Sequence, residues 1–370
     1  MSKIRALVIE RHSRPNINPI RPEAAQIVGL HQSGEVEVTV MCNPDSGLVD
    51  YYAQYGIEVL TLPLDKKLSW HTIKTIRHTL INRQIQVLHL FANTPVSNGA
   101  TAAIGLPVKV IAYRGQTGNI RRIDPSSYLS MLHPRIDKII CVAKAVEEDL
   151  ANHVNNPSKK LATVYKGHDS SWYQNPPADL SQFNLPEDAF KVSLVANLRP
   201  RKGLHVLMDA THHLPKDANI HFLLVGANPD NDKIKQMIAS SGCPERIHPM
   251  GWRTDAPEVA AASDLVVLPT LKREGLCRAV LEANSYGTPA VMSDTGGNAE
   301  LVKDGHTGFI VPPGDAKALA EAIHRLYQDR DLNDKFGLAA QARVREKFNV
   351  EQGVEATLAI YRELALALNQ

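Results

Sequence analysis

Short apolar runs alternate along the chain with longer stretches in which apolar residues recur at helical spacing. This alternation predicts parallel sheets wrapped by helices, and therefore an α/β fold. The first part of the chain contains predicted strands at residues 6–9, 36–41, 87–90, 109–113, 139–142 and 162–165. The second part contains predicted strands at residues 192–196, 220–225, 265–268 and 290–293.

Two domains are expected, because 370 residues exceed what a single hydrophobic core usually serves. Residues 173–186 separate the two series of strands, are rich in proline and polar residues, and show no hydrophobic period. They are the predicted linker. The predicted domains are residues 1–172 and residues 187–350, each a Rossmann-like domain with a doubly wound parallel sheet.

The composition, 44% hydrophobic and 22% charged, is that of an ordinary soluble globular protein. No apolar stretch approaches the roughly 20 residues that span a bilayer, and the charges at Lys3 and Arg5 come too early for a signal peptide. A cytoplasmic protein is therefore expected. Four cysteines lie far apart, lack zinc-ligand spacing and are predicted to be reduced: Cys42, Cys141, Cys243 and Cys277.

The net charge of +2 hides an asymmetry between the two parts of the chain. Up to residue 165 there are 19 Lys and Arg against 13 Asp and Glu, and beyond it there are 22 against 26. A basic first part favours peripheral contact with an anionic membrane, at its inner face, or binding of an anionic acceptor. Ordinary surface scatter explains the asymmetry equally well, because the positive residues do not gather on one amphipathic helix.

The most informative pattern is a pair of glutamates eight residues apart, Glu274 and Glu282. Residues 265–268 are typical of a buried strand, and a helix is predicted from about residue 276 to Gly287. One acid therefore lies in a loop and the other lies two turns into a helix. A helix N-terminus at the carboxyl end of a parallel strand is a natural phosphate site, and the two carboxylates suit a diphosphate flanked by hydroxyl-bearing rings.

This run resembles the Glu-x7-Glu signature of the retaining glycosyltransferases of family 4, also described as glycosyl transferases group 1. The resemblance continues through Gly296-Gly297 and the glycine turns after it, and it is strong over residues 192–315. It implies the GT-B architecture, in which two Rossmann-like domains face each other across a cleft. It also implies that the C-terminal helix, within residues 354–370, crosses back to pack on the first domain.

The resemblance implies a role for each residue around the two glutamates. Glu282 accepts hydrogen bonds from the two ribose hydroxyls of a nucleotide-sugar donor, a task that suits a bidentate carboxylate. Glu274 lies beside the transferred sugar, and the backbone amides of Leu276, Cys277 and Arg278 meet the distal phosphate. The family is usually aliphatic at position 278, so the Arg278 side chain either adds a phosphate contact or faces outward.

Two glycine segments also have a part in donor binding according to the resemblance. Gly296 and Gly297 supply a backbone loop that approaches the sugar closely, because no side chain intervenes. Gly251 and Trp252 belong to a segment that binds the nucleobase through backbone groups.

A basic turn follows the predicted strand 192–196 and resembles the family's Gly-Arg-Leu-x3-Lys-Gly segment, in which an arginine and a lysine hold the diphosphate. Lys202 matches the lysine, whereas Asn197 holds the usual arginine position. The guanidinium role is therefore assigned to Arg199, with Arg201 as the substitute. Fixed cations of this kind balance the charge that develops on a departing diphosphate.

The family often has a histidine after the strand that corresponds to residues 109–113, near the anomeric carbon, and this chain has Arg114 there. Arg114 either assists the leaving group or recognises a negatively charged acceptor. Arg121 and Arg122 extend this basic loop. Solvated surface charges are an equally good explanation of the loop.

One Asp-x-Asp sequence, Asp230-Asn231-Asp232, has the form of a metal-binding pair. It precedes a helix-like run at residues 233–240, so helix capping and first-turn carboxylates are the favoured explanation. No metal site and no cofactor are predicted, since the nucleotide-sugar is a substrate.

The sequence therefore predicts a retaining glycosyltransferase that moves a hexose-type sugar from a nucleoside diphosphate, with UDP favoured over GDP, to an acceptor hydroxyl. The expected acceptor is a glycan or a lipid-linked precursor in bacterial surface glycan or lipopolysaccharide synthesis. Two alternatives stay open: a sugar-nucleotide epimerase of the same fold, and a non-catalytic nucleotide-sugar-binding subunit. A dinucleotide-dependent dehydrogenase is disfavoured, because no Gly-x-Gly-x-x-Gly follows an early strand. No nucleic acid partner is expected.

Overall fold

The computed structural model describes residues 3–11, 22–197, 199–226, 228 and 230–368. The chain divides into two compact units. The first unit comprises Met1–Gly167 together with Phe348–Gln370, and the second comprises His168–Lys347.

The described residues of the first unit form a sheet of seven parallel strands, in the spatial order β3-β2-β1-β4-β5-β6-β7. In chain order the strands are β1 (Ile4–Ile9), β2 (Val36–Cys42), β3 (Glu58–Thr61), β4 (Val87–Leu90), β5 (Lys109–Arg114), β6 (Lys138–Cys141) and β7 (Leu161–Thr163). The helices that precede residue 167 are α1 (Pro22–Gln32), α2 (Val49–Ala53), α3 (Trp70–Asn82), α4 (Asn93–Ala102), α5 (Pro125–Tyr128), α6 (Lys144–Ala151) and α7 (Pro157–Lys160).

The described residues of the second unit form a sheet of six parallel strands, in the spatial order β10-β9-β8-β11-β12-β13. The strands are β8 (Phe190–Val195), β9 (Ile220–Val225), β10 (Ile247–Gly251), β11 (Leu265–Leu268), β12 (Ala290–Ser293) and β13 (Gly308–Val311). The helices are α8 (Leu204–Thr211), α9 (Asp232–Ala239), α10 (Ala256–Ala261), α11 (Arg278–Tyr286), α12 (Asn298–Leu301), α13 (Ala316–Gln328) and α14 (Arg330–Lys347). The predicted α/β class with two parallel sheets is confirmed.

Three strands that the sequence did not predict, β3, β10 and β13, all lie at sheet edges. Central strands of a parallel sheet are covered on both faces and therefore consist of continuous apolar runs, as in β11, where all four residues are buried. The edge strands carry residues that obscure such a pattern, such as the exposed Glu58 in β3 and Pro249 in β10. Pattern analysis therefore found the strands at the centre of each sheet and missed these edges.

The last helix, α15 (Val350–Leu366), packs against α1 in the first unit. A Cβ at Gly29 would lie 2.5 Å from Cγ2 of Val354, so the absence of a side chain at Gly29 allows the close approach. The buried Tyr361 hydroxyl is 3.0 Å from Nδ1 of His89 on β4. These contacts make α15 part of the first hydrophobic core.

The division between the units lies at Gly167 and His168, before the predicted boundary at residue 172. Residues 173–186, the predicted linker, belong to the second unit. The amide of Ala178 donates to the carbonyl of Glu258 at 2.9 Å, and Leu180 packs against a buried cluster that includes Val259. A segment without hydrophobic period therefore lies on the surface of the second unit.

None of the helices in the described residues combines the length and the apolar character needed to cross a bilayer.

Candidate functional site

The second sheet changes winding direction between β8 and β11, which are neighbours in space and are separated in the sequence. At such a switch point the connections leave in opposite directions, and the carboxyl ends of the two strands open a crevice that binds ligands. The segment after β8 carries Lys202, and the segment after β11 carries Glu274. The topology therefore brings two of the predicted site residues to one place.

Lys202 and Glu274 form a buried ion pair in this crevice. Lys202 Nζ lies 2.7 Å from Glu274 Oε2, and the two side chains are only 11% and 10% exposed. Removing two charges from water is unfavourable, and the attraction within the pair often does no more than offset that penalty. A pair of this kind at a ligand-binding edge is therefore a candidate for function rather than for stability.

Glycines allow the backbone segments around this pair to touch. Gly203 has a φ of +76°, and a Cβ there would lie 1.8 Å from the carbonyl oxygen of Pro269. Gly296 has a φ of +55°, and a Cβ there would lie 2.2 Å from the carbonyl oxygen of Glu274. The segments after β8 and β12 thus both pack directly on the backbone that follows β11, which holds Glu274 in place.

Gly203→Ala is expected to lower the free energy of unfolding by several kcal/mol more than Gly305→Ala. Both glycines have positive φ, so both alanines carry the left-handed backbone penalty of about 1 kcal/mol. Only at Gly203 does the new Cβ also meet backbone, whereas nothing lies within 4 Å at Gly305. Urea unfolding of the two variants measures the difference, and equal losses would refute the close packing.

Arg201 and Arg199 lie on the same turn as Lys202 but are directed differently. The Arg201 guanidinium donates to the carbonyl of Arg273 at 2.8 Å, and Arg273 has a φ of +61°, which is unusual outside glycine. Arg199 is exposed at the start of the turn. The structure therefore brings Lys202 to Glu274, uses Arg201 to brace the loop before Glu274, and leaves Arg199 at the surface.

Helix α11 begins directly after the Glu274 loop, with Leu276 and Cys277 buried at its start. Cys277 holds the N-cap position, where an oxygen-bearing side chain usually satisfies the first amides. This helix end carries partial positive charge and suits an anion. Burial raises the pKa of the Cys277 thiol to about 11, so the thiol stays protonated and is a poor nucleophile at neutral pH.

Glu282 is buried on α11, and Arg278 pairs with it one turn away. Arg278 Nε donates to Glu282 Oε1 at 2.6 Å. Burial raises the pKa of the Glu282 carboxyl, and the neighbouring guanidinium opposes that rise. In the structure the Arg278 side chain contacts this carboxylate and stays one third exposed, and the predicted phosphate contact stays a prediction.

Two tyrosines that the sequence analysis missed lie near Glu282. The ring of Tyr173 is 5.7 Å from that of Tyr286, edge to face, and the Tyr173 hydroxyl is 2.5 Å from Nδ1 of His168. Burial and then the charge of Glu282 raise the pKa of Tyr173. Tyr173 belongs to the predicted linker, which has no pattern of its own, so no sequence signal pointed to it.

The remaining donor-side residues of the second unit lie on backbone turns. The Gly297 amide donates to the carbonyl of Gly275 at 3.0 Å, which joins the loop after β12 to the loop that carries Glu274. Gly251 ends β10 with a φ of +69°, and its carbonyl accepts from the amide of Gly226 at 2.7 Å. Trp252, the next residue, is exposed.

Arg114 lies in the first unit, as the last residue of β5. Its side chain is buried and donates to the carbonyl of Gly118. Burial lowers the pKa of the guanidinium while Asp149 opposes that effect, and an arginine still stays charged. A cavity of about 330 Å³ lies at the carboxyl end of β5. Its lining includes Arg11, Phe91, Tyr113, Arg114 and Gln116.

The Asp-x-Asp sequence opens helix α9, as predicted. The side chain of Asn231 accepts hydrogen bonds from the amides of Lys233 and Ile234, at 3.0 and 3.3 Å, and Asp232 lies in the first turn. The capping explanation is confirmed. Within the described ranges, no group of three or more His, Cys, Asp and Glu side chains is arranged to hold a metal ion.

Family models match both units of the chain. The model described as Glycosyltransferase Family 4 matches residues 27–172, and the model described as Glycosyl transferases group 1 matches residues 177–343. Together these matches cover most of the sequence, and each follows one parallel sheet of the structure.

Curated relatives have modest identity. N-acetyl-alpha-D-glucosaminyl L-malate synthase of Bacillus anthracis is 26% identical over 230 residues, which are 60% of each chain. The lipopolysaccharide core biosynthesis glycosyltransferase LpsE of Rhizobium meliloti is 28% identical over 180 residues, 49% of this chain and 52% of the relative. The chain thus spans between half and two thirds of the lengths of these relatives.

A solved structure matches nearly the whole chain. HepE of Anabaena, in complex with UDP, has a TM-score of 0.78 and 20% identity, and the match covers 97% of this chain and 100% of that one. The likeness confirms the predicted GT-B fold, with two Rossmann-like domains. With both family models on successive units and this fold, the chain belongs to glycosyltransferase family 4, glycosyl transferases group 1.

Proposed function

We propose that the chain transfers a hexose-type sugar from a UDP-sugar to an acceptor hydroxyl, with retention of the anomeric configuration. The observation that carries the proposal is the buried Lys202 and Glu274 pair beside the N-terminus of α11, with Glu282 buried farther along the same helix. A cation, a helix N-terminus and two carboxylates, one in the preceding loop and one on the helix, suit the parts of a nucleotide-sugar: diphosphate, sugar and ribose.

The diphosphate is proposed to lie between Lys202 and the backbone amides around the start of α11, those of Leu276, Cys277 and Arg278. Negative charge develops on the phosphate oxygen as the glycosidic bond breaks, and a fixed ammonium and helix dipole stabilise it without rearrangement. Arg201 supports this arrangement indirectly, since its contact with the carbonyl of Arg273 steadies the loop before Glu274. Because these groups supply the positive charge, we propose that the reaction requires no metal ion and no cofactor.

Glu282 is proposed to accept hydrogen bonds from the ribose hydroxyls. Its carboxylate is buried on α11, the helix whose start is proposed to bind the phosphate. Arg278 shares the carboxylate in the structure described here, and ribose hydroxyls are expected to compete with that contact. Gly251 and Trp252 are proposed to contact the base, and Gly296 and Gly297 the sugar.

Retention is proposed to follow a front-face route. The acceptor oxygen bonds to the anomeric carbon on the face from which the diphosphate departs, the bond from that carbon to the diphosphate breaks, and the departing phosphate oxygen takes the acceptor proton. A protonated Cys277 thiol and a lysine-paired Glu274 are poor nucleophiles, which supports this route. The protein then contributes orientation and charge.

The substrate classes are proposed from the relatives' names together with the geometry. The Anabaena neighbour is in complex with UDP, and the two curated relatives are named as an N-acetyl-alpha-D-glucosaminyl L-malate synthase and as a lipopolysaccharide core biosynthesis glycosyltransferase. We extend these to a UDP donor, favoured over GDP, and to a glycan or lipid-linked acceptor of a bacterial surface polymer. In the first unit, Arg114 beside its cavity is proposed either to assist the leaving group or to bind an anionic acceptor.

Incubation with UDP-, GDP- and ADP-sugars tests the proposal. Without an acceptor, we expect slow hydrolysis of a UDP-hexose. The matching GDP-sugar should be hydrolysed at least tenfold more slowly, and EDTA should leave the rate of UDP-hexose hydrolysis nearly unchanged. Formation of a sugar stereoisomer would indicate the epimerase, and binding without turnover would indicate a non-catalytic subunit. Once an acceptor is found, the anomeric coupling constant of the product decides between retention and inversion.

A further inference from the structure

Two loops of the first unit place large apolar side chains in solvent. One loop, residues 65–70, leads into α3, and the other, residues 121–129, contains α5. Trp70 is 84% exposed and Ile123 is 87% exposed, and three further apolar side chains of these loops are also exposed: Leu68, Tyr128 and Leu129. We refer to residues 65–70 and 121–129 together as the Trp70 surface.

Helix α4 holds the two loops side by side. The Asn98 side chain accepts from the amide of Ser69 at 2.9 Å and donates to the carbonyls of Lys66 and Lys67, both at 3.1 Å. The preceding residue, Ser97, donates its hydroxyl to the carbonyl of Leu129. Because adjacent residues of one helix bind the two loops, the loops lie next to each other.

Positive charge surrounds these apolar side chains. The Trp70 surface contains Lys66, Lys67, Arg121 and Arg122 against Asp65 and Asp124, and Asp124 is occupied in capping α5. Beside Arg122 and Tyr128 lies a cavity of about 480 Å³ that Lys160 also lines. None of the described residues that line this cavity is a carboxylate. The surface therefore combines exposed apolar side chains with neighbouring positive charges.

We propose that the Trp70 surface docks the first unit onto an anionic lipid bilayer. A single weak signal gives only marginal membrane affinity, whereas apolar insertion and electrostatic attraction to anionic headgroups act together. Tryptophan favours the interface between headgroups and acyl chains. A protein partner fits less well, since lysine is depleted from the cores of protein interfaces. Docking of this kind brings the acceptor side of the enzyme to a lipid-borne substrate, although vesicle binding itself depends on neither donor nor acceptor.

Co-sedimentation with lipid vesicles tests this surface. We expect the chain to bind phosphatidylcholine vesicles containing about 30% phosphatidylglycerol at least tenfold more tightly than pure phosphatidylcholine, with binding that weakens as salt rises. The double variant Trp70→Ser/Ile123→Ser and the double variant Lys66→Gln/Lys67→Gln are each expected to lose about tenfold. Leu338→Ser, at an exposed apolar residue of α14, is the matched control and is expected to bind as the wild type does.

A second readout identifies the inserted residue. Brominated phospholipids are expected to quench tryptophan emission on binding, and Trp70→Phe is expected to lose most of that quenching while still sedimenting with vesicles. Donor hydrolysis without vesicles should be unchanged in the surface variants, which separates this proposal from the proposed function. Failure of the wild type to bind, equal binding to neutral vesicles, or unchanged binding of both double variants would each overturn it. The proposal would also be overturned if the wild type did not bind vesicles but formed a dimer, and if Trp70→Ser/Ile123→Ser made that dimer dissociate.

Discussion

Glu282→Ala is expected to weaken UDP binding by about a hundredfold. A hydrogen bond to a charged group contributes about 1.5 to 3 kcal/mol, and the proposal gives this carboxylate two of them, so a loss of about 3 kcal/mol corresponds to two orders of magnitude. Arg278, the partner left behind, is a third exposed and can be solvated by water, so the fold should persist. Isothermal titration calorimetry measures the effect.

The matched control is Glu321→Ala, in α13 of the same unit. That carboxylate also has a basic partner four residues away, Lys317, but both side chains are largely exposed. We expect the control to bind UDP as the wild type does. Its fold should also be unchanged, because exposed helix pairs contribute only about 0.3 to 0.5 kcal/mol to stability. Unchanged UDP affinity in Glu282→Ala, with a folded protein by thermal denaturation, would rule out the ribose assignment.

Lys202→Gln is expected to lower kcat/KM by about a hundred- to a thousandfold, the range seen when one preorganised stabilising group is removed from a transition state. It should also destabilise the protein by about 3 to 5 kcal/mol, because Glu274 is then left buried without its cation. Turnover of the donor and chemical denaturation measure the two effects separately.

The double variant Lys202→Gln/Glu274→Gln distinguishes catalysis from folding. Neutralising both partners also removes the buried carboxylate charge, so stability is expected to recover most of the loss, whereas activity is not. Lys317→Gln/Glu321→Gln, which neutralises an exposed pair, should leave both quantities unchanged. Recovery of full activity in the buried double variant would mean that the pair is structural only.

Site prediction from the sequence depended on distance along the chain. Arg278 and Glu282 are four residues apart on a predicted helix, so their contact could have been inferred from helical geometry. Lys202 and Glu274 are 72 residues apart, and only the pairing of β8 with β11 brings their segments together. Tyr173 lies in a segment without period, and nothing local indicates that its ring approaches Tyr286.

The sequence by itself determined the α/β class, the central strands and the donor-side motif, because buried parallel strands need continuous apolar runs and a helix start after a strand leaves a local signature. Tertiary structure alone decided which charges from distant parts of the chain meet. Burial of Lys202 against Glu274 and exposure of Trp70 and Ile123 depend on strand order and on loops held by α4. Contacts between distant segments produce no periodic pattern in the sequence, so only the folded structure reveals them.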